Sequence, residues 1–312
     1  MKRLLPLIAT LFAIACCAAQ NLRKVPLADP FILLYDGVYY AYGTGAGSGI
    51  EVWTSRDLST WERAKGNARD GLALHRTDVW GEKWFWAPEV YRLNDKFYMY
   101  FTAEEHICVA TSDSPLGPFV QETRQPMIAD EKCIDNTLFI DDDGRAYMYF
   151  DRFNDGLNIW VVELEDAWTT RKKETMRPCI HVSQEWEKVW PRVNEGCFVI
   201  RRNGTYYMTY SANSYESPFY GIGCATADSP LGPWTKYDRN PLLQNPGELV
   251  GVGHSALFRD KAGNLKIVFH AHKSKGAIHP REMYITDVRF RPVEGGCRME
   301  IDPGYSPALI AE

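Results

Sequence analysis

The sequence predicts an all-β fold, a five-bladed β-propeller, and three observations carry that expectation. A polar residue followed by two β-prone runs around a tight turn occurs five times. The turns, at Asp36-Gly37, Asn94-Asp95, Asp143-Gly144, Asn203-Gly204 and Gly263-Asn264, recur roughly every 50–60 residues, a spacing found in propellers and other repeat architectures. A third strand-like run follows each hairpin, and two of these runs end in near-identical corners, SDSPLGPF at 112–119 and ADSPLGPW at 227–234. Pro and Gly end a strand there, and the following aromatic re-enters a packed edge.

The first copy opens at Asp29, runs through PFILLYDGVYYAYGT, and has its third run at 50–55. Its Gly-rich stretch 43–49 (GTGAGSG) lacks G-x-G-x-x-G spacing and leads into a strand. It therefore reads as a loop near the axis mouth, not as a phosphate cradle. The second copy opens at Glu89 and is irregular: six residues separate Glu89 from its turn, against eight or nine elsewhere. Asp135 opens the third copy, whose third run is 157–164. Glu195 opens the fourth, where Asn203-Gly204 between two apolar runs is the strongest hairpin signal in the chain. His254 opens the fifth. In a propeller the innermost strand of each blade begins near the central axis. Asp29, Glu89, Asp135, Glu195 and His254 are thus expected to converge on one funnel. Buried charge destabilises unless paired, so such a convergence points to function.

Residues 1–19 read as a secretory signal, with Lys2 and Arg3, an apolar run at 4–15, and small residues after it. The run is too short to span a membrane. Two processing readings stand: cleavage after Ala19 with soluble export, or a lipoprotein retained on lipidated Cys16 or Cys17. Either places the protein in the periplasm or outside the cell, the second anchored to the outer membrane. Residues 20–312 read as one propeller domain. A net charge of −5 without a basic cluster speaks against nucleic acid, and only a lipid anchor would hold the protein to a membrane. Six cysteines follow the signal with no C-x-x-C pair, so zinc is not expected and buried free thiols are.

Several carboxylates meeting in one pocket suggest glycoside hydrolysis. That reaction needs a proton donor for the leaving oxygen, and a base for water or a nucleophile. A third carboxylate can push their pKa values apart. Trp86, Trp190 and Phe153 lie beside the blade starts as candidate sugar platforms, with packing between blades the alternative for each.

Ala28-Asp29-Pro30, Trp86-Ala87-Pro88-Glu89, Ile134-Asp135, Asn194-Glu195-Gly196 and Gly253-His254 occur in order and in register with five blades. Together they resemble glycoside hydrolase family 43 over essentially the whole mature chain. The resemblance implies an inverting mechanism. Asp29 would be the general base, Glu195 the general acid, and Asp135 the residue that tunes and orients the acid. His254 matches a family histidine that organises the centre, with a hydrogen-bonded structural His the alternative. Arg281 matches a family arginine that reaches sugar hydroxyls or the acid's carboxylate, with a surface salt bridge the alternative. With Trp86, Glu89, Phe153 and Trp190 from the blade starts they make up the expected substrate-facing set. No cofactor is required; the family allows a structural calcium at the axis, with His254 reaching it through water. Asn136 and Cys197 replace prolines common in the family, which bears on substrate class more than on catalysis. The segment 215–226 resembles exo-acting members. The expected activity is therefore exo-removal of α-L-arabinofuranosyl or β-D-xylosyl residues from plant cell-wall material. An endo-arabinanase, a galactan-directed hydrolase and an inactive carbohydrate-binding propeller are the alternatives.

Overall fold

In the computed structural model, which describes residues 23–165, 168–190 and 192–311, five antiparallel sheets are arranged around an axis. The proposed signal at 1–19 lies outside the described residues. Each blade starts with an inner strand: Ala28–Tyr35, Trp86–Leu93, Cys133–Ile140, Asn194–Arg202 and Gly253–Arg259. The tight turns named above return the chain as Val38–Thr44, Lys96–Ala103, Ala146–Phe153, Thr205–Ala212 and Leu265–Ala271. Third strands follow at Val52–Ser55, His106–Ser112, Leu157–Glu163, Gly221–Ala227 and Glu282–Val293. The first of these is shorter than expected, because Gly49–Ile50 leaves the blade to pair with Leu74–His75. Outer strands complete four blades, whereas blade 2 has only a bridge between Thr111 and Val120.

The inner strands pack on one another in a closed cycle, which makes this a five-bladed propeller. Closure joins blade 5 to blade 1 through residues far apart in the chain. Ser306–Pro307 pairs with Glu282–Val293, and Leu309–Ile310 runs parallel to Thr60–Arg63. Val25 donates its N–H to Ala308 and accepts one from Met283. The two repeated corners do the same work in different blades. Tyr42 of blade 1 donates to the Pro115 carbonyl and meets Phe119 edge-on; Tyr149 of blade 3 donates to Pro230 and meets Trp234 edge-on.

One five-fold device positions the axis. Each inner strand carries a bulge, seen as a register shift two residues into the strand. Its bulge residue is left-handed in every blade: Asp29, Ala87, Asp135, Gly196 and His254, with φ between 44° and 55°. The N–H of each then points at the neighbouring blade's second strand. Asp29 donates to His270 Nδ1, Ala87 to Thr44, Asp135 to Thr102, Gly196 to Asp151 and His254 to Ser211. The five acceptors hold the same register position in their blades. A cycle of five hydrogen bonds thus runs around the funnel and fixes the side chains that line it.

Candidate active site

Asp29, Asp135 and His254 hold the same bulge position in blades 1, 3 and 5. The expected equivalence of five polar residues fails for the other two. In blade 4 the bulge residue is Gly196, and Glu195 stands one residue earlier, opposite Ser211. In blade 2 it is Ala87, and Glu89 stands two residues later. The bulge explains the irregular second copy, since Ala87 and not Glu89 is the counterpart of Asp29.

Glu195 nevertheless reaches the cluster. It interacts with both Asp29 and Asp135, and Tyr220 donates to its Oε1 at 2.7 Å. Gly196 makes this packing possible. A Cβ there would lie 2.9 Å from His254 Nδ1, and the φ of 55° is one that side chains rarely adopt. Glu89 does not join the group. Its carboxyl binds Tyr91, Thr137 and the Leu138 N–H at the boundary of blades 2 and 3. Burial pushes it up to about 8, with those hydrogen bonds opposing, so it is a neutral acid at pH 7.

The three clustered acids are nearly buried, each under a tenth exposed. Burial opposes ionisation of Asp29, but the Arg281 guanidinium, with His254 and His270, outweighs it and holds the carboxyl well below the usual range. Arg281 Nη1 lies 2.7 Å from Asp29 Oδ1; His254 Nδ1 is 3.4 Å and His270 Nδ1 3.3 Å from the same oxygen. Arg281 is buried and pairs with Asp29 instead of forming a surface salt bridge, because it stands just ahead of the blade-5 strand Glu282–Val293, beside the blade-1 bulge. Its guanidinium also lies over the Tyr215 ring at 4.5 Å. His270, fully buried and stacked on Tyr220, is pushed down to about 3 by burial and Arg281, so it is neutral. Glu195 goes the other way. Burial, reinforced by the Asp29 charge and opposed by Tyr220 and Arg281, raises it to about 7. Asp135 is raised too, by burial and by the charges of Glu195 and Asp29. One cluster therefore holds a carboxylate that stays ionised and a carboxyl that carries a proton near neutrality, the two species that general base and general acid catalysis require.

Beside the acids opens a cavity of about 600 Å³ whose walls include Ala28, Thr44, Glu51, Trp86 and Arg281, with Gly45–Gly47 of the Gly-rich loop at its edge. Trp84 and Trp86 stack at 5.6 Å and 18° on its wall, and Lys83 caps Trp84. Phe153 and Trp190 are half exposed at the same ends of blades 3 and 4, outside this cavity. Buried Asn213 accepts the N–H groups of Val189 and Trp190 and donates to the Trp186 and Phe219 carbonyls, which sets the Trp190 loop.

Sequence reading missed His270, Tyr220, Asp151 and Asn213. His270 and Asp151 lie in second strands, at a register position whose residue type differs from blade to blade, and Asn213 and Tyr220 lie in the loop between the second and third strands of blade 4. Among the described residues no group of three His, Cys, Asp or Glu is placed to hold a metal ion directly. The His254 ring lies 3.4 Å from Asp29 Oδ1 and 3.8 Å from Asp135 Oδ2, with the His270 ring tilted beside it at 6.4 Å. The six described cysteines are free thiols, four of them buried, and no described helix is long and apolar enough to cross a membrane.

Known proteins share both sequence and fold. Residues 23–294 match the glycosyl hydrolases family 43. A solved structure described as an endo-1,4-β-xylanase from Bacteroides thetaiotaomicron is 46% identical, with a TM-score of 0.87 over 94% of this chain and 99% of that one. The β-D-galactofuranosidase of Aspergillus niger is 26% identical over 78% of this chain and 73% of its own length. The α-L-arabinofuranosidase B of Pyricularia oryzae is 27% identical over 87% of this chain, which spans only 57% of that relative. The chain belongs to glycoside hydrolase family 43 and is a glycosidase, an enzyme that hydrolyses O-glycosyl bonds.

Proposed function

We propose that the protein is an inverting, exo-acting glycosidase that removes α-L-arabinofuranosyl or β-D-xylosyl residues from plant cell-wall polysaccharide or its oligosaccharides. The observation that supports its acid–base chemistry is the opposite displacement of two carboxyls in one buried cluster, Asp29 held down by Arg281 at 2.7 Å and Glu195 raised to about 7. Asp29 takes a proton from a water whose oxygen bonds to the anomeric carbon. The glycosidic bond breaks as Glu195 gives its proton to the leaving oxygen. Asp135 orients Glu195 and keeps its proton on. The steps use side chains and water alone. The names of the relatives, an arabinofuranosidase and a galactofuranosidase, support a furanose or pentose in the cavity beside Asp29. Export, by a cleaved signal or a lipid on Cys16 or Cys17, belongs to the same reading and would meet such a substrate.

An endo-acting mode is the second reading. The exposed Trp84, Phe153 and Trp190 favour it, as platforms along which a chain could lie on both sides of the acids. The test incubates wild type and Glu195→Ala with arabinan, xylan and galactan oligosaccharides and with 4-nitrophenyl glycosides. Proton NMR follows the first anomer released. Monosaccharide of inverted configuration, with a loss of roughly 10²-fold or more in the variant on natural oligosaccharides and less on aryl glycosides, supports the proposal. Oligosaccharide products support the endo mode. Retention of configuration, or full activity without Glu195, overturns the mechanism.

A further inference from the structure

Four acceptors in the five-fold cycle are neutral groups: the hydroxyls of Thr44, Thr102 and Ser211 and the imidazole of His270. The fifth, Asp151, is a carboxyl with no exposed surface, and neither proposed proton transfer uses it. Its Oδ2 takes the Gly196 N–H at 2.9 Å. Its Oδ1 is buried, and no donor among the described residues reaches it. The Asp135 and Asp151 carboxyls lie within hydrogen-bonding reach of one another. Two acceptors thus face each other in a buried site, and such a contact is stable only with a proton between them.

We propose that Asp151 is a positioning residue held as the neutral acid, donating its proton to Asp135 so that the pair carries one negative charge, aimed at Glu195. This rests on the roles assigned above to Glu195 and Asp135. Burial and the charges of Asp135 and Glu195 raise Asp151 well above the ordinary Asp range, in keeping with that form. The charged and titratable groups around the pair are Glu195 of blade 4, Asp29 of blade 1, and His254 and Arg281 of blade 5, with the thiols of Cys179 and Cys197 beside Asp151. Neither thiol is ionised near neutrality, since burial raises both. A Thr, as in blades 1 and 2, would satisfy the Gly196 N–H equally well. The carboxyl adds a proton directed at Asp135.

The test compares wild type with Asp151→Asn and Asp151→Val. Asn offers a carbonyl to Gly196 and an N–H to Asp135, as the neutral acid does. It should retain kcat within about threefold and leave the alkaline limb of kcat/KM in place. Val removes the donor. Asp135 then binds a proton itself, its charge no longer holds the proton on Glu195, and the alkaline limb should move down by about one pH unit with roughly a tenfold loss of kcat. Infrared difference spectra at neutral pH should show a protonated carboxyl in the wild type that Asp151→Asn lacks, a reading that stands even if Val fails to fold. Absence of that band, or an Asn variant as impaired as Val, overturns the proposal. Glu195→Gln in the same assays separates the two levels: full activity there removes the acid assignment, whereas the infrared band concerns Asp151 alone.

Discussion

Arg281 reaches back 252 positions to grip both carboxylate oxygens of Asp29, Nη1 on Oδ1 at 2.7 Å and Nη2 on Oδ2 at 3.4 Å. The pair is buried, so its geometry matters more than its charge alone. Removing one member leaves the other as an unpaired buried ion, which typically destabilises by about 3–5 kcal/mol. Arg281→Met should therefore lower the urea midpoint markedly at neutral pH. It should also change the pH profile. Without Arg281, burial dominates and Asp29 binds a proton at higher pH, so the acidic limb of kcat/KM moves up. The sign for stability follows from the same shift. The folded Asp29 is depressed, so its contribution is present above the ordinary Asp value and is lost as pH falls through the folded value. An acidic limb that stays in place would separate Asp29 from the base role.

Tyr220 gives a second handle on the acid. Its hydroxyl donates to Glu195 Oε1 and favours the charged form, against the burial that raises the carboxyl to about 7. Tyr220→Phe should raise Glu195 further and move the alkaline limb of kcat/KM upward, by up to about one pH unit. Kinetic profiles of the two proteins between neutral and alkaline pH settle it. A limb moving downward would show that Tyr220 holds the protonated form instead.

The repeat was legible because its signals are local: period-2 strands, Asx-Gly turns and two copied corners all lie within a few residues of what they determine. Asp29, Asp135 and Glu195 were legible for the same reason, each standing within the first three residues of an inner strand. The bulge was not. It offsets the register by one residue without changing the sequence pattern, so Glu89 looked like the blade-2 counterpart of Asp29 when Ala87 holds that position. Partners across blades were hidden as well. Arg281 with Asp29 and Leu309 with Thr60 join segments that only closure of the ring brings together, and Asp151 with Gly196 joins two neighbouring blades.

The Trp84–Trp86 stack forms part of the cavity wall, with Trp84 44% exposed and the flexible Lys83 side chain over its outer face. A stacked aromatic pair of this kind is worth about 0.5–1.5 kcal/mol beyond area burial, so it holds Trp86 firmly in the wall. Trp84→Ala should raise KM for oligosaccharides roughly 3–10-fold with little change in kcat, because the lost contact serves ground and transition states alike. Aryl monoglycosides, which do not extend beyond the first sugar, should be affected less. Equal effects on both substrate types would place the stack at the cleaved sugar itself.

Gly196 tests whether the five-fold cycle and the chemistry depend on one another. Its φ of 55° disfavours any side chain, and a Cβ would press on the His254 ring at 2.9–3.2 Å. Gly196→Ala should cost about 1–3 kcal/mol for the backbone alone, read as a lower urea midpoint. The ring contact adds a displacement of His254, which faces Asp29 and Asp135 at 3.4 and 3.8 Å. Activity should therefore fall by more than the loss of folded protein explains. The comparison that isolates this is Ala87, which already holds the same conformation in blade 2 with φ 44° and gives its N–H to Thr44. Ala87→Gly should leave kcat unchanged while Gly196→Ala lowers it at least tenfold, a factor worth about 1.4 kcal/mol of transition-state stabilisation. If Gly196→Ala folds as well as the wild type and keeps its kcat, the close approach of blades 4 and 5 is not what sets the acids in place.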